Sequence, residues 1–350
     1  MKEPPYSLYW FLQGVDAGSK GVQEVLRDEL WPHCKFCNSS HVVRNGTRRG
    51  VQYWLCKNCG RGFVDNKALP GSRYPIEAVA SALYLYFTGS SLNDIRRHTE
   101  QHYKVLPSDS TVYAWVRRYT KVAHEATKDL KPKVGDTWVA DETGIKIEGK
   151  NYWLWDIIDL DTRYLLATYL SPNRGTREAR KLMELSSERA GKVPKVVVTD
   201  SLRSYLDGIE LTFGADTKHI QATPFSGTQV IERWHGTLKE RTKVVWGLKK
   251  PETARQFLEG FLFFYNFLRP HESLKDKTPA EVAGLKIPYK NWLDVVSSQS
   301  PITQERIKQN IPPSRVGFVI EYPKKSYRKR SKPKTKHRIH PTVGISGIRR

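Results

Sequence analysis

All four cysteines of this 350-residue chain fall between positions 34 and 59. They form two C-x2-C pairs, Cys34-Lys35-Phe36-Cys37 and Cys56-Lys57-Asn58-Cys59, with 18 residues between them. Each pair can present both thiolates to one ion, and two pairs complete a tetrahedral zinc site. Two disulfides would use the same cysteines, but they do not suit the reducing compartment expected for a basic intracellular protein. Between the pairs, Val42 to Arg49 carries Asn45-Gly46, a two-residue hairpin signal. A zinc ribbon is therefore expected over residues 33–66, with Arg44, Arg48 and Arg49 at the hairpin tip. Such a ribbon either contacts DNA or braces a small fold, and the three arginines favour DNA.

Charge points the same way. The chain holds 58 Lys and Arg against 36 Asp and Glu, a net charge of +22. Such an excess favours polyanions, because neutralised phosphates release their condensed counterions. An anionic membrane would also attract it, yet no stretch approaches the roughly 20 apolar residues that span a bilayer. Leu8 to Leu12, preceded by Glu3 and two prolines, has neither the apolar length nor the charge profile of a signal peptide. A cytoplasmic, nucleoid-associated protein is expected. Residues 286–350 look less ordered. Lys324 to Arg338 holds nine Lys or Arg in 15 residues and no acid, which suits a basic tail tracking DNA backbone or simply a solvated tail.

Ahead of the ribbon, residues 1–32 read as an extension with a short helix from Gln23 to Leu30. Behind it, residues 74–122 hold three helical stretches. Ile76, Val79, Leu83 and Phe87 share one helical face, Thr88-Gly89-Ser90 breaks that helix, and Ser91 or Asn93 can cap the next. Ser108 caps a third, expected to end near Thr120, with Val112, Trp115 and Val116 inward. Two short helices and a tight turn after a longer helix suit an all-α helix-turn-helix, or else an ordinary three-helix packing unit. In the first case Ser110, Thr111 and Tyr113 lie near base edges.

Residues 134–285 change to strands. Trp138–Ile147, Tyr152–Ile158 and Tyr164–Leu170 are three runs joined by turns at Glu148-Gly149 and Asp159 to Thr162. A helix follows from Thr176, taken as its cap, to about Ala190, where Gly191 stops it. Lys195–Thr199 is then a short buried strand, parallel to the first if the crossover is right-handed. Helices over 229–248 and 252–268 complete an α/β core, a mixed sheet flanked by helices. The whole chain is thus expected to be multidomain.

Three carboxylates stand out in that core. Asp141 ends the run Thr137-Trp138-Val139-Ala140, Asp200 ends Val196-Val197-Val198-Thr199, and Glu232 opens a polar helix. Phosphodiester cleavage needs an activated oxygen nucleophile and a stabilised leaving oxygen, which two magnesium ions held by such carboxylates provide. Singly, Asp200 could be a helix cap and Glu232 half of a surface ion pair with Arg233 or Lys239. Glu142 adjoins Asp141 but alternation turns it to the opposite sheet face, so it is set aside. Asp156 and Asp161 are reserves. His235 and Lys239 follow Glu232 at three and seven residues and share its face; Lys239 suits a DNA contact, His235 packing.

Together these motifs resemble the prokaryotic insertion-sequence transposases of the DDE class, within the ribonuclease-H-like integrase superfamily. The resemblance rests on Val139 to Thr143, Val198-Thr199-Asp200, Val230 to Arg233 with Lys239, Tyr265 to His271, and Thr278-Pro279-Ala280. It implies that Asp141, Asp200 and Glu232 form a catalytic triad holding Mg2+ or Mn2+. It also implies Zn2+ on Cys34, Cys37, Cys56 and Cys59, and a DNA contact at Lys239. The family nicks element ends with a metal-activated water, then joins the freed 3′-hydroxyl to target DNA. Members act as dimers or larger assemblies on double-stranded ends. Here 31 residues separate Asp200 from Glu232, fewer than is common in the group, and Gly227 to Val230 lacks the asparagine often found there. The competing expectations are a catalytically silent DNA-binding protein derived from a transposase, and a nuclease that cuts without joining.

Overall fold

A computed structural model describes residues 31–223, 227–244, 250–286, 289–301 and 304. The expected helix at Gln23 to Leu30 and the basic tail lie outside these residues.

The ribbon is a three-stranded antiparallel sheet of β1 (Val42–Arg48), β2 (Val51–Cys56) and β3 (Gly62–Val64). Its turn is not at Asn45-Gly46. The chain reverses at Arg49-Gly50, whose φ values of 51° and 76° are those of a two-residue primed turn. Asn45 and Gly46 instead form a bulge within β1, where the register with β2 shifts between Arg44 and Thr47. Arg44 therefore pairs with Trp54 along the strand and leaves only Arg48 and Arg49 near the tip. Cys34, Val42, Trp54, Cys56 and Phe63 form a small core of their own.

Three helices follow: α1 (Ile76–Thr88), α2 (Leu92–Tyr103) and α3 (Asp109–Thr127). Ser91 caps α2 by accepting from the Asp94 amide, and Ser108 caps α3 by accepting from that of Thr111. α3 runs seven residues past Thr120 because Thr120 and Ala123 are buried in the main core rather than ending the helix.

The second sheet has five strands in the order β6-β5-β4-β7-β8. β4 (Thr137–Ile147), β5 (Lys150–Asp159) and β6 (Leu165–Ser171) are antiparallel neighbours, and β7 (Val196–Thr199) joins β4 in parallel. α4 (Thr176–Ala190) crosses between β6 and β7; its N-cap is Gly175, not Thr176, with Glu178 accepting from the Gly175 amide. Elements not anticipated include α5 (Arg203–Phe213), the parallel edge strand β8 (Lys218–Gln221), and a short helix at Trp292–Ser297, in the stretch expected to be less ordered, whose Trp292, Val295 and Val296 join the main core. β8 is half-exposed and only four residues long, too short for alternation to show. Then come α6 (Gln229–Val244), α7 (Pro251–Phe263), and a π turn over Phe264–Leu268. The sheet is mixed and flanked by helices, as expected.

Strand alternation decides which helix meets which face. Glu142 pairs in register with Trp155, whose ring lies 5.4 Å from Tyr205 of α5. Asp141 pairs with Asp156, and that face meets His235 of α6. Asn266, fully buried in the π turn, clamps edge strand β6: its Oδ1 accepts from the Leu165 amide and its Nδ2 donates to the Leu165 carbonyl, both at 2.9 Å. One continuous hydrophobic core runs from the sheet into α1 and α3, with Phe87 stacked on Phe257, Phe264 and Trp292.

Candidate active site

β4 and β7 pair in parallel as far as Val139 and Val198. Two residues on, β7 has ended and β4 continues to Ile147, so Asp141 and Asp200 stand together where the pairing stops. One carboxylate oxygen from each of Asp141, Glu142 and Asp200 lies within 4.8 Å of the other two. Asp200 Oδ1 also accepts from the Leu202 amide at 2.9 Å, so this carboxylate shapes the turn into α5 rather than capping it.

Strand alternation turns Glu142 to the far face, where it does lie, yet it joins the cluster. With no β7 residue beside it at this level, its longer side chain can reach the other two carboxylates. Its side chain is 1% exposed and accepts from Arg174 Nε at 2.8 Å, with Nη2 closing on the same oxygen. Burial pushes its carboxyl up, against the opposing pull of Tyr205 and Arg174. Arg174 in turn lies over the Trp153 ring, 4.5 Å from its centre. The alternation rule had no means of showing that Arg174, 32 positions away, would hold this glutamate.

Behind Asp141 sits a second unanticipated arrangement. His235 Nδ1 is 3.4 Å from Asp141 Oδ2, and its Nε2 is 3.0 Å from Asp156 Oδ2. Burial alone would lower this ring's pKa, but Asp141 and Asp156 outweigh it and hold the imidazolium up to about 9. Asp156 is fully buried and accepts from Thr168 Oγ1 at 2.7 Å, so this reserve candidate faces His235 rather than open space. Its opposition to Asp141 in the β4–β5 register was the available signal. Asp161, the other reserve, lies in the β5–β6 turn against Gly135. His219 on β8, beside Asp200, contacts Thr199 Oγ1 at 2.8 Å.

Glu232 lies exposed on α6, one turn before His235, and is not among the three clustered carboxylates. Lys239 is exposed further along α6. An all-oxygen donor set of this spacing suits a hard divalent cation.

In the ribbon, Cys34 and Cys59 sulfurs are 3.6 Å apart, as are those of Cys37 and Cys56, and all four lie within 4.8 Å. A tetrahedral thiolate site with metal–sulfur bonds of about 2.3 Å has edges of about 3.8 Å, whereas a disulfide is near 2.05 Å. The four thiols are free. Each pair is folded by a knuckle in which the residue after the second cysteine, Asn38 or Gly60, turns left-handed (φ 59° and 69°). The amides of these residues return to the Cys34 and Cys56 carbonyls at 2.8 and 2.9 Å. At Cys56 burial pushes upward, but the Cys59 and Asn58 amides bring the thiol down to about 7.

Of the expected DNA contacts, Arg44, Arg48 and Arg49 are exposed, and Arg48 lies over the Tyr53 ring at 5.0 Å. Ser110 is exposed and Tyr113 half-buried. The hydroxyls of Ser110 and Thr111 are 2.8 and 2.9 Å from Ser108 Oγ, within the α3 cap.

Residues 135–271 match the family model of the DDE domain, a span that contains Asp141, Asp200 and Glu232. Over that span the chain is similar to insertion-sequence transposases. It is similar to the transposase of insertion sequence-like element IS431mec from Staphylococcus aureus. The two are 32% identical over 126 residues, 36% of this chain and 54% of that one. It also resembles the transposase of IS257 in transposon Tn4003 of the same organism, at 34% over 95 residues, 27% of this chain and 42% of the other. The chain thus spans about half the length of those relatives. A broader match, 23% identical over 211 residues, covers 59% of this chain and 94% of an uncharacterised protein of Methanocaldococcus jannaschii. Among solved structures, the HTLV-2 integrase catalytic core domain in complex with magnesium aligns with 44% of this chain and 98% of its own. Identity there is 18% and the TM-score 0.34.

Proposed function

We propose that this protein is a DNA transposase that binds element ends, cleaves them, and transfers the 3′-hydroxyl end into target DNA. The observation that carries the reading is the convergence of Asp141 and Asp200 at the end of β7, inside the DDE domain. Magnesium or manganese bound there would supply Lewis acidity and stabilise charge on the attacking and leaving oxygens. Asp141 is the central ligand. His235, held from behind by Asp156, fixes its rotamer and keeps α6 against β4. Asp200 is oriented by the Leu202 amide. Glu232 is assigned as the third ligand because it shares the His235 face of α6, while Glu142 is already committed to Arg174. Lys239, on the same face, meets the DNA strand beside the scissile phosphate.

Zn2+ on Cys34, Cys37, Cys56 and Cys59 holds the ribbon, whose spacing fits a tetrahedral ion. Arg44, Arg48 and Arg49 lie along the DNA backbone, and the N-terminal turn of α3, with Ser110, Thr111 and Tyr113, enters a major groove. Double-stranded ends are paired by a homodimer or larger assembly. Among the described residues no helix is long and apolar enough to cross a membrane.

The test uses purified protein, oligonucleotides from the flanks of the gene, and magnesium or manganese. Cleavage and 3′-end joining that disappear in Asp200→Asn are expected. Cutting without joining would replace the reading with a nuclease, and tight binding without cutting would leave a DNA-binding protein.

A further inference from the structure

The face of α6 turned away from Glu232, His235 and Lys239 lines a cleft of about 250 Å³. Gln229, Arg233 and Thr237 come at successive turns of the helix. Tyr265 and Arg269 enter from the π turn and its exit, and Arg163 from the β5–β6 turn. Three guanidinium groups thus meet at one opening. Among the described residues none of the three is ion-paired with a carboxylate. Arg163 Nη1 and Trp234 Nε1 are buried donors without hydrogen-bond partners. Arg163 is also held left-handed, at φ 61°, where a residue with a Cβ is disfavoured.

Such an arrangement is costly unless something anionic enters it. Like charges repel in a partly desolvated cleft, and buried donors without acceptors lose their hydration. Arg269, Arg163 and Arg233 all act on the Tyr265 phenol, which burial pushes up to about 12 against their pull, so the three cations do converge. Guanidinium forks match phosphate oxygens two at a time. Gln229, Arg233 and Ser273 keep the cleft open to the surface, which suits a phosphate that remains part of a polymer.

We propose that this cleft grips a backbone phosphate of DNA through Arg163, Arg233 and Arg269. It rests on the reading of DNA as the substrate. Because the carboxylates lie across α6, the phosphate held here is not the scissile one; it sits on the order of 10 Å away, a helix diameter. The cleft therefore sets the path of the strand past the active site.

The experiment measures affinity of the full chain for a mixed-sequence DNA duplex as salt is raised, without divalent metal. The double variant Arg233→Gln/Arg269→Gln should bind about tenfold more weakly at fixed salt, with the slope of log K against log salt reduced by about one. Arg180→Gln/Lys181→Gln on α4 removes the same charge away from the cleft and should leave the slope unchanged. Equal slopes for the two doubles would overturn the proposal, since only net charge would then matter. So would thermal stabilisation of the unmodified protein by inorganic phosphate, absent from the cleft variant, combined with an unchanged DNA slope. Without DNA the cleft variant should melt no lower than the parent, because no ion pair is lost. If it does melt much lower, Arg233→Lys, which keeps the charge on an exposed helix position, must still weaken DNA binding or the proposal fails. Loss of cleavage in Asp200→Asn with the cleft effect intact separates the two readings. Cleavage with an unchanged slope in the cleft variant would sink this one alone.

Discussion

At the scale of single residues, two histidines titrate in opposite directions. His235 is raised from 6.5 to about 9, so the stability it contributes is complete below pH 6.5 and lost as pH rises through 9. His271 is lowered from 6.5 to about 4 by burial and by Arg269, so its contribution is present above pH 6.5 and lost as pH falls toward 4. The melting temperature should therefore peak near pH 6.5, with His235→Asn flattening the alkaline limb and His271→Asn the acid one. A pH series of thermal melts checks this. Asp156→Asn should drop the His235 pKa by more than about one unit, read by NMR titration of the ring. The third-ligand assignment has its own test at this scale. Glu232→Gln should abolish cleavage, whereas Glu142→Gln should keep measurable activity; the reverse result would move the site onto Glu142.

At the scale of elements, the ribbon and the edge clamp make separable predictions. The ribbon packs around Cys34, Val42, Trp54, Cys56 and Phe63, a cluster distinct from the main core. Chelation, or Cys56→Ser, should unfold the ribbon while leaving the main thermal transition nearly in place. Loss of resonance dispersion for β1 to β3 alone would show it. The sequence located this ribbon from spacing, but it misplaced the hairpin. Asn45-Gly46 and Arg49-Gly50 are both competent turns, and the register of β1 on β2 chose between them. Asn266 shows the converse. As one residue of Tyr265 to His271 it is legible only as motif, yet its side chain bonds both the Leu165 amide and carbonyl. Asn266→Ala should cost about 1–3 kcal/mol in a denaturant melt, because two buried hydrogen bonds to the backbone are lost.

At the scale of the whole molecule, the helices before the sheet are not a separate bead. Gly260 of α7 faces α3 so closely that a Cβ would lie 2.6 Å from Thr120 Oγ1 and 2.7 Å from the Phe87 ring. Gly260→Val should therefore destabilise the protein by about 1–3 kcal/mol. If α1 and α3 share the sheet's core as the packing shows, calorimetry should record one transition that moves as a unit. Two transitions, only one of them displaced, would contradict the shared core.

What the sequence determined by itself was whatever local pattern encodes. The cysteine spacing marked the ribbon, alternation and turn residues marked β4 to β6, and apolar runs ending in Asp141 and Asp200 marked where the two strands bring carboxylates together. Period and turn chemistry act over a few residues, so they can be read along the chain. The tertiary structure alone decided what depends on strand register and helix contact. β7 stops short beside β4, which admits Glu142 to the cluster. β5 sets Asp156 behind His235, and α6 turns one face to the carboxylates and the other to an arginine-lined cleft. None of these has a local signature, because the partners lie tens of residues apart and meet only when the core closes.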